Sequence, residues 1–494
     1  MRASQNIILI ILDACRARNL SCYGYNFPTS PNIDRIADEG ILFENAFSTS
    51  NVTDVSLSSI FSGLYPISHG VTIQAQMENL INPGVKLLPE ILKSEGYRTM
   101  AIDWLSRYHK RGYDWYGYLP ERPSFGEVKT QALNIRNILK FWLPYNKIPY
   151  NIRGFLKRIY NKILPDWYPR WYDARKTTNT ALKLLEKEKN SNRNFFMFIH
   201  YWDTHTPYNA PASYADRFYR NEEIKFKIDD IIESCLKEDV KRFYFEWMKT
   251  VRNVEEVLSK YDGAISYIDE QIGRIYDYLD ENGILDETVL LITSDHGECL
   301  LEHGIFFDHH GGLYDEILHV PLIIRCPNLF PKGKRIKNLV QHTDITPTIL
   351  EMLDIEWTRK DEGISLFPAI IENEKIRDYI YAVMDNEERY AIRSSNYKYI
   401  MRNKLRLPNK KYKNQQGINE DEELYDLNSD PGEQFNLAKE CLETAIKLNY
   451  LLNLHLENQR KKVRSLKVNG KKGRIDNSEK RKLEERLRAL GYLN

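Results

Sequence analysis

The chain has 494 residues, a formal net charge of +1 and 42% hydrophobic residues. That length buries a large core and leaves room for a smaller second unit. The near-neutral balance gives no overall field toward nucleic acid, so no nucleic-acid partner is expected. Six cysteines are scattered without CxxC spacing, which favours free thiols in a reducing compartment over a disulfide framework.

Ile7–Leu12 is an apolar run after Arg2. It is short, ends in Asp13 and lacks a small-residue cleavage site, so it reads as a first core strand rather than a signal peptide. No stretch approaches the roughly 20 apolar residues of a membrane span, and a cytoplasmic protein is expected. Ser30–Gly40 reads as a short helix closed by Gly40. Ile41–Phe47 is a second strand candidate, followed by polar Ser48–Ser59 and then Ile60–Pro66. A helix over 87–95 precedes a third strand, Gly96–Asp103. Phe195–Tyr201 is a fourth, leading into Trp202-Asp-Thr-His-Thr-Pro-Tyr208.

Tyr261, Ile265, Ile268, Ile272, Ile275 and Leu279 recur at spacings of three and four, the stripe of an amphipathic helix. Gly283 stops it. The strand that follows, Thr288–Thr293, is apolar and β-branched throughout, as strands buried on both faces are. It delivers Ser294-Asp-His-Gly297 at its carboxyl end, just as the first strand delivers Asp13. Ligands of α/β sheets bind beyond those ends, and an Asp-His pair there suits a metal. Val320–Arg325 is another strand and Thr343–Leu350 opens a helix. This alternation predicts a layered α/β unit with a mostly parallel sheet flanked by helices, over residues 1–375.

Beyond about 375 the pattern changes. Tyr379–Met384, Tyr390–Arg393, Tyr397–Ile400 and Glu423–Leu427 read as short strands of a small antiparallel sheet, over 376–437. Ser429–Glu433 makes a turn. Residues 438–494, rich in Lys, Arg and Glu, read as a solvated helical tail. Ile138–Trp171 interleaves Phe141, Trp142, Tyr145, Trp167 and Trp171 with Lys140, Lys147, Arg153 and Lys157. It reads as a surface insertion near the site entrance, with contact at a membrane interface as the alternative.

These motifs, in this order, resemble the sulfatase family of the alkaline phosphatase superfamily. The similarity lies in Asn6–Arg16, Tyr23-Gly-Tyr, Pro28–Asp34, Ser56–Gly70, His200–Tyr208, Tyr261–Glu298, Glu302-His-Gly304, Gly311–Pro321, Asp344–Thr348 and Leu424–Leu437. It spans most of 5–440 and leaves out about 104–172 and 210–250. The resemblance implies an alkaline phosphatase-like fold and one divalent cation held by Asp13, Thr53, Asp295 and His296. Two carboxylates, an imidazole and an alkoxide suit Mn²⁺, Zn²⁺ or Mg²⁺, with Ca²⁺ less well matched beside a His. Many family members carry a second Asp directly after the first; this chain has Ala14.

The resemblance also places Thr53 at the nucleophile position, where the family has Cys or Ser, and Leu57 where it has Arg or His. Sulfatases oxidise that Cys or Ser to formylglycine, an aldehyde that Thr cannot become. A Thr alkoxide on a metal instead resembles the phosphodiesterases and phosphoglycol transferases of the superfamily. The local alternative for Thr53 is a helix-capping hydroxyl. By resemblance, His205 contacts the leaving group and His310 holds the ester's anionic oxygens, while His303 and His309 are weaker candidates. His69 and His200 are expected to serve packing or hydrogen bonds behind the site. The implied activity is metal-dependent hydrolysis of an anionic sulfate or phosphate ester. The alternatives are a transferase handing the group to an alcohol and, in another class, a non-catalytic binding protein that kept the fold.

Overall fold

The structure, a computed structural model, describes residues 5–467 apart from 75–80, 83, 104–110, 118–172, 190, 192, 220–252, 358–361 and 404–420. Ile138–Trp171 and the last part of the expected tail, from 468 on, lie outside the described residues.

Eight strands form the central sheet: β1 (Asn6–Leu12), β2 (Ile41–Phe47), β3 (Arg98–Ile102), β4 (Trp115–Gly117), β5 (Phe195–Tyr201), β6 (Thr288–Thr293), β7 (Leu322–Arg325) and β8 (Lys334–Gln341). Their order is β4-β3-β5-β1-β6-β7-β2-β8. All run the same way except β7, which pairs antiparallel with both β6 and β2. The innermost strands are buried along nearly their whole length, because helices cover both faces. On one face lie α1 (Pro31–Asp38), α4 (Ala174–Glu188) and the long α5 (Val254–Glu281), whose Tyr261, Ile265, Ile268, Ile272 and Ile275 join the core with Ile8, Ile10 and Leu12. On the other lie α2 (Thr53–Ser62), α3 (Leu88–Ser94) and α6 (Ile345–Met352), packed over Ile7, Leu9 and Ile11.

A second, antiparallel sheet has the order β12-β11-β10-β9, from β9 (Ile380–Val383), β10 (Arg389–Arg393), β11 (Tyr397–Arg402) and β12 (Glu422–Asp426). The helix α7 (Leu442–Lys467) lies on it. In its described part the expected solvated tail has one buried face: Ala445, Leu448, Leu452 and Leu456 are buried against Tyr390, Ile392, Tyr399 and Leu424, while Ile446 and Tyr450 are exposed. Spacings of three and four place those four residues on one face, which the surrounding charges conceal in the sequence. Among the described residues, no helix is long and apolar enough to cross a membrane.

Candidate active site

The sheet register decides which side chains meet. β1 pairs with β6, with Ile11 opposite Thr293, and with β5, with Ile11 opposite His200. Asp13, Asp295 and His200 therefore emerge at one carboxyl edge, and all three are buried. The turn after β1 is drawn in tightly. The Asp13 N–H donates to the Tyr201 carbonyl at 2.8 Å, and Ser294 Oγ donates to the Leu12 carbonyl at 2.5 Å. Ala14 adopts a left-handed backbone, φ 56°, which aims its N–H at Asp295 Oδ1, 3.1 Å away. The same oxygen accepts from the His296 N–H at 2.9 Å. Gly297 is needed after that pair, since a Cβ there would run into the Glu316 carbonyl.

Thr53 opens α2, whose N-cap is Val52 with no side-chain cap. Its hydroxyl lies 3.3 Å from His296 Nε2 and also engages Asp295, so it faces the strand ends. Behind it, buried hydroxyls fix α2 against β6. Ser48 Oγ donates to the Asp295 carbonyl at 2.7 Å and lies 2.9 Å from Ser56 Oγ. His296 Nδ1 donates to the Gly297 carbonyl at 2.8 Å, which leaves Nε2 as the lone-pair nitrogen facing Thr53.

Three carboxylate oxygens here, both of Asp13 and Oδ2 of Asp295, accept no hydrogen bond from the described residues although they are buried. Imidazoles approach them: His200 at 3.5 Å and His296 at 3.9 Å from Asp13, and His296 at 3.5 Å from Asp295. Burial alone would raise Asp295, but His296, His200, the Ala14 N–H and the Thr53 hydroxyl hold it below the usual carboxylate value. Buried, under-satisfied carboxylates are costly unless a cation joins them. Hard oxygens with one imidazole fit a divalent cation such as Mn²⁺, Zn²⁺ or Mg²⁺. The residues present therefore fit the metal that the resemblance implies.

The remaining histidines form a run of ring contacts. His205 is buried, with Nδ1 donating to the Thr206 carbonyl at 2.9 Å. Its ring lies 5.3 Å from that of His309, which in turn lies 4.1 Å from His296 and 4.2 Å from His310. His310 sits farther out, partly exposed, with Nδ1 donating to Asp308 at 2.7 Å. His309, a weaker candidate by sequence, is the central ring. Its Nδ1 lies 3.0 Å from Glu298 Oε1, and its Nε2 is buried without a partner among the described residues. Burial and the neighbouring His296, His310 and His205 push His309 well below the imidazole range, so it is neutral at pH 7. Burial and Asp308 push Glu298 well above the carboxylate range, despite hydrogen bonds from Thr206 and Tyr208. Sequence reading did not single out Glu298 or Asp103. The first follows Ser294-Asp-His-Gly297 directly, which was the available signal. His303 lies elsewhere, 3.2 Å from Glu316 and stacked on Tyr314.

A mostly parallel sheet thus brings Asp13, Asp295 and His296 to one carboxyl edge, with the Thr53 hydroxyl facing them from the start of α2. The chain belongs to the sulfatase family, whose model matches residues 5–355; a second, described as N-sulphoglucosamine sulphohydrolase, C-terminal, matches 301–462. It acts on sulfuric or phosphoric ester bonds. It is 26% identical to the N-acetylglucosamine-6-O-sulfatase of Bacteroides thetaiotaomicron, over 92% of this chain and 86% of that protein. Two solved structures share the fold. One is a complex with its substrate D-glucosamine-2-N,6-O-disulfate, with TM-score 0.67, 21% identity and coverage of 94% of this chain and 99% of that one. The other is the phosphonate monoester hydrolase of Agrobacterium radiobacter, with TM-score 0.65, 19% identity and coverage of 93% and 96%.

Proposed function

We propose that this chain is a metal-dependent hydrolase that cleaves phosphate esters in preference to sulfate esters, with Thr53 as its covalent nucleophile. The observation that carries the proposal is Thr53 Oγ1, 3.3 Å from His296 Nε2 and beside the under-satisfied oxygens of Asp13 and Asp295. Asp13, Thr53, Asp295 and His296 would hold a divalent cation, which when bound would supply the positive charge that favours the alkoxide and the ester's anionic oxygens. The start of α2 adds its partial positive charge to the same place.

Thr53 Oγ1 bonds to phosphorus as the bond to the departing alcohol breaks, and that oxygen takes a proton from His205. With Nδ1 committed to the Thr206 carbonyl, the exchanging atom is Nε2. In the second step the same nitrogen takes a proton from water, water oxygen bonds to phosphorus, and the threonine oxygen leaves. A sulfo-threonine would need the same second attack at sulfur, because threonine has no aldehyde hydrate to expel sulfate by carbon–oxygen cleavage. His309 and His310 line the position of the ester's free oxygens.

Charge supports a monoanionic ester. Leu57 follows Thr53 by one helical turn and is fully buried in the core beneath α2, so position 57 brings no cation to the site, and burial beside other imidazoles disfavours a charge on His309. A phosphodiester asks less of this site than a dianionic monoester. The free thiols of buried Cys15, Cys299 and Cys326 support a cytoplasmic setting.

The test is a panel of aryl phosphate, phosphodiester, phosphonate and aryl sulfate with Mn²⁺, Zn²⁺ and Mg²⁺. Phosphorus esters should be the better substrates. Thr53→Ala should lose about 10³-fold or more in turnover, while Thr53→Ser retains part because the oxygen survives. Near wild-type turnover in Thr53→Ala, or aryl sulfate as the best substrate with Thr53 unmodified, would overturn the proposal.

A further inference from the structure

His200 was expected to serve packing or hydrogen bonds behind the site; it does hydrogen-bond Asp103, and its second nitrogen points to more. It lies on β5 with its side chain fully buried. Its Nδ1 sits 3.1 Å from Asp103 Oδ1. Asp103 Oδ2 already accepts the Tyr116 hydroxyl at 2.5 Å, so the carboxylate is held as an acceptor on both oxygens. The ring is therefore fixed through Nδ1, which donates to Asp103, and Nε2 is aimed the other way. That Nε2 is buried, has no hydrogen-bond partner among the described residues, and points at Asp13 Oδ2 from 3.5 Å. A divalent cation seated between Nε2 and Asp13 Oδ2 would take the place of a proton there and satisfy both buried atoms.

From these contacts we infer that His200 Nε2 is a further ligand of the divalent cation, taking the place left by Ala14, and that Asp103 is its positioning residue. The inference rests on the metal site of the proposed function. An imidazole whose other nitrogen donates to a carboxylate is the usual arrangement of a metal-bound histidine. The separations agree as well. Ligands at about 2.1 Å from one ion lie roughly 3.0–4.2 Å from each other. The neighbouring donor pairs here span 3.3 Å (Thr53–His296), 3.5 Å (Asp13–His200 and Asp295–His296) and 3.9 Å (Asp13–His296). One atom each of Asp13, His200 and Asp295 lies within 4.8 Å of the others. The left-handed backbone of Ala14 turns position 14 toward Asp295, so a carboxylate lost there is replaced from β5 on the other side of Asp13.

The test uses the full chain loaded with Co²⁺, read by titration and by proton NMR. Each cobalt-bound histidine whose second nitrogen carries a proton gives one strongly shifted, exchangeable N–H resonance. The wild type should give two, from His296 and His200. His200→Ala should give one and bind Co²⁺ more weakly than Asp103→Asn, itself weakened about 10–100-fold. Adding Ala14→Asp to His200→Ala should recover affinity without restoring the second resonance, which also shows that the fold survives. If the wild type gives one shifted resonance and His200→Ala binds Co²⁺ unchanged, His200 is not a ligand, while the four-residue site stands. If the wild type binds no divalent metal, the proposed function fails with it.

Discussion

The pair Arg16–Glu302 offers a sharp energetic test of how the site is held. Arg16, three residues after Asp13, is 2% exposed. Its guanidinium donates to both carboxylate oxygens of Glu302, at 2.7 and 3.3 Å, clamping the turn after β1 to the loop after β6. The N–H groups of Leu300 and Leu301 also donate to Glu302, at 2.8 and 3.0 Å. Burial would raise Glu302, but the Arg16 charge and these hydrogen bonds bring it from 4.5 down to about 2. A depression of that size is worth about 3 kcal/mol of folding stability at neutral pH. With about a quarter of the carboxylate in water, about 2 kcal/mol is the expected observable. Because the folded value lies below the unfolded one, the contribution is complete above about pH 4.5, shrinks as pH falls, and is gone near pH 2. Urea unfolding of wild type and Glu302→Gln at pH 7 and pH 3 measures it. The gap should be about 2 kcal/mol at pH 7 and under half that at pH 3. A gap near zero at pH 7, or one that grows toward acid, would refute the reasoning.

Asp295→Asn should lower bound metal and turnover together, since a neutral amide replaces a charged ligand; elemental analysis showing unchanged stoichiometry would count against the assignment. His205→Gln should slow hydrolysis of alkyl esters by about 10²–10⁴-fold yet barely affect nitrophenyl esters, whose leaving oxygen needs no proton. Equal losses across leaving groups would remove His205 from that role.

The sequence displayed those features whose cause is local. The apolar runs of β1, β5 and β6 stand out because helices cover both faces of the sheet, and the α5 stripe stands out because one helix face meets that sheet. β8 was missed because Lys334, Arg335, Lys337 and Asn338 interrupt a pattern whose buried members are Ile336, Leu339 and Val340. Its pairing with β2 also shifts register between Phe43 and Asn45, so strict alternation fails. α4 and the three-residue β4 carried too little apolar contrast to be read.

Asp13 stands out because it follows β1 directly, and Asp295 and His296 because they lie just past β6, after Ser294 and before Gly297. His200 does not, for the opposite reason. It sits inside the run Phe195–Tyr201, where a buried polar residue looks like a minor interruption of a core strand. What separates a tolerated core histidine from a ligand is its neighbour across the sheet, and that neighbour is set by register alone. Ile11 lies opposite His200, so two residues farther on Asp13 comes within 3.5 Å of its Nε2. Shifting that pairing by one residue would turn the imidazole to the other face of the sheet. The same argument applies to Asp103, which ends β3 one strand farther out and reaches His200 only because β3 and β5 run in parallel register, Ile102 opposite Ile199. The chemistry at this edge therefore depends on four strands, β3, β5, β1 and β6, that are distant in sequence, with residue identities readable one at a time and their meaning carried by the sheet.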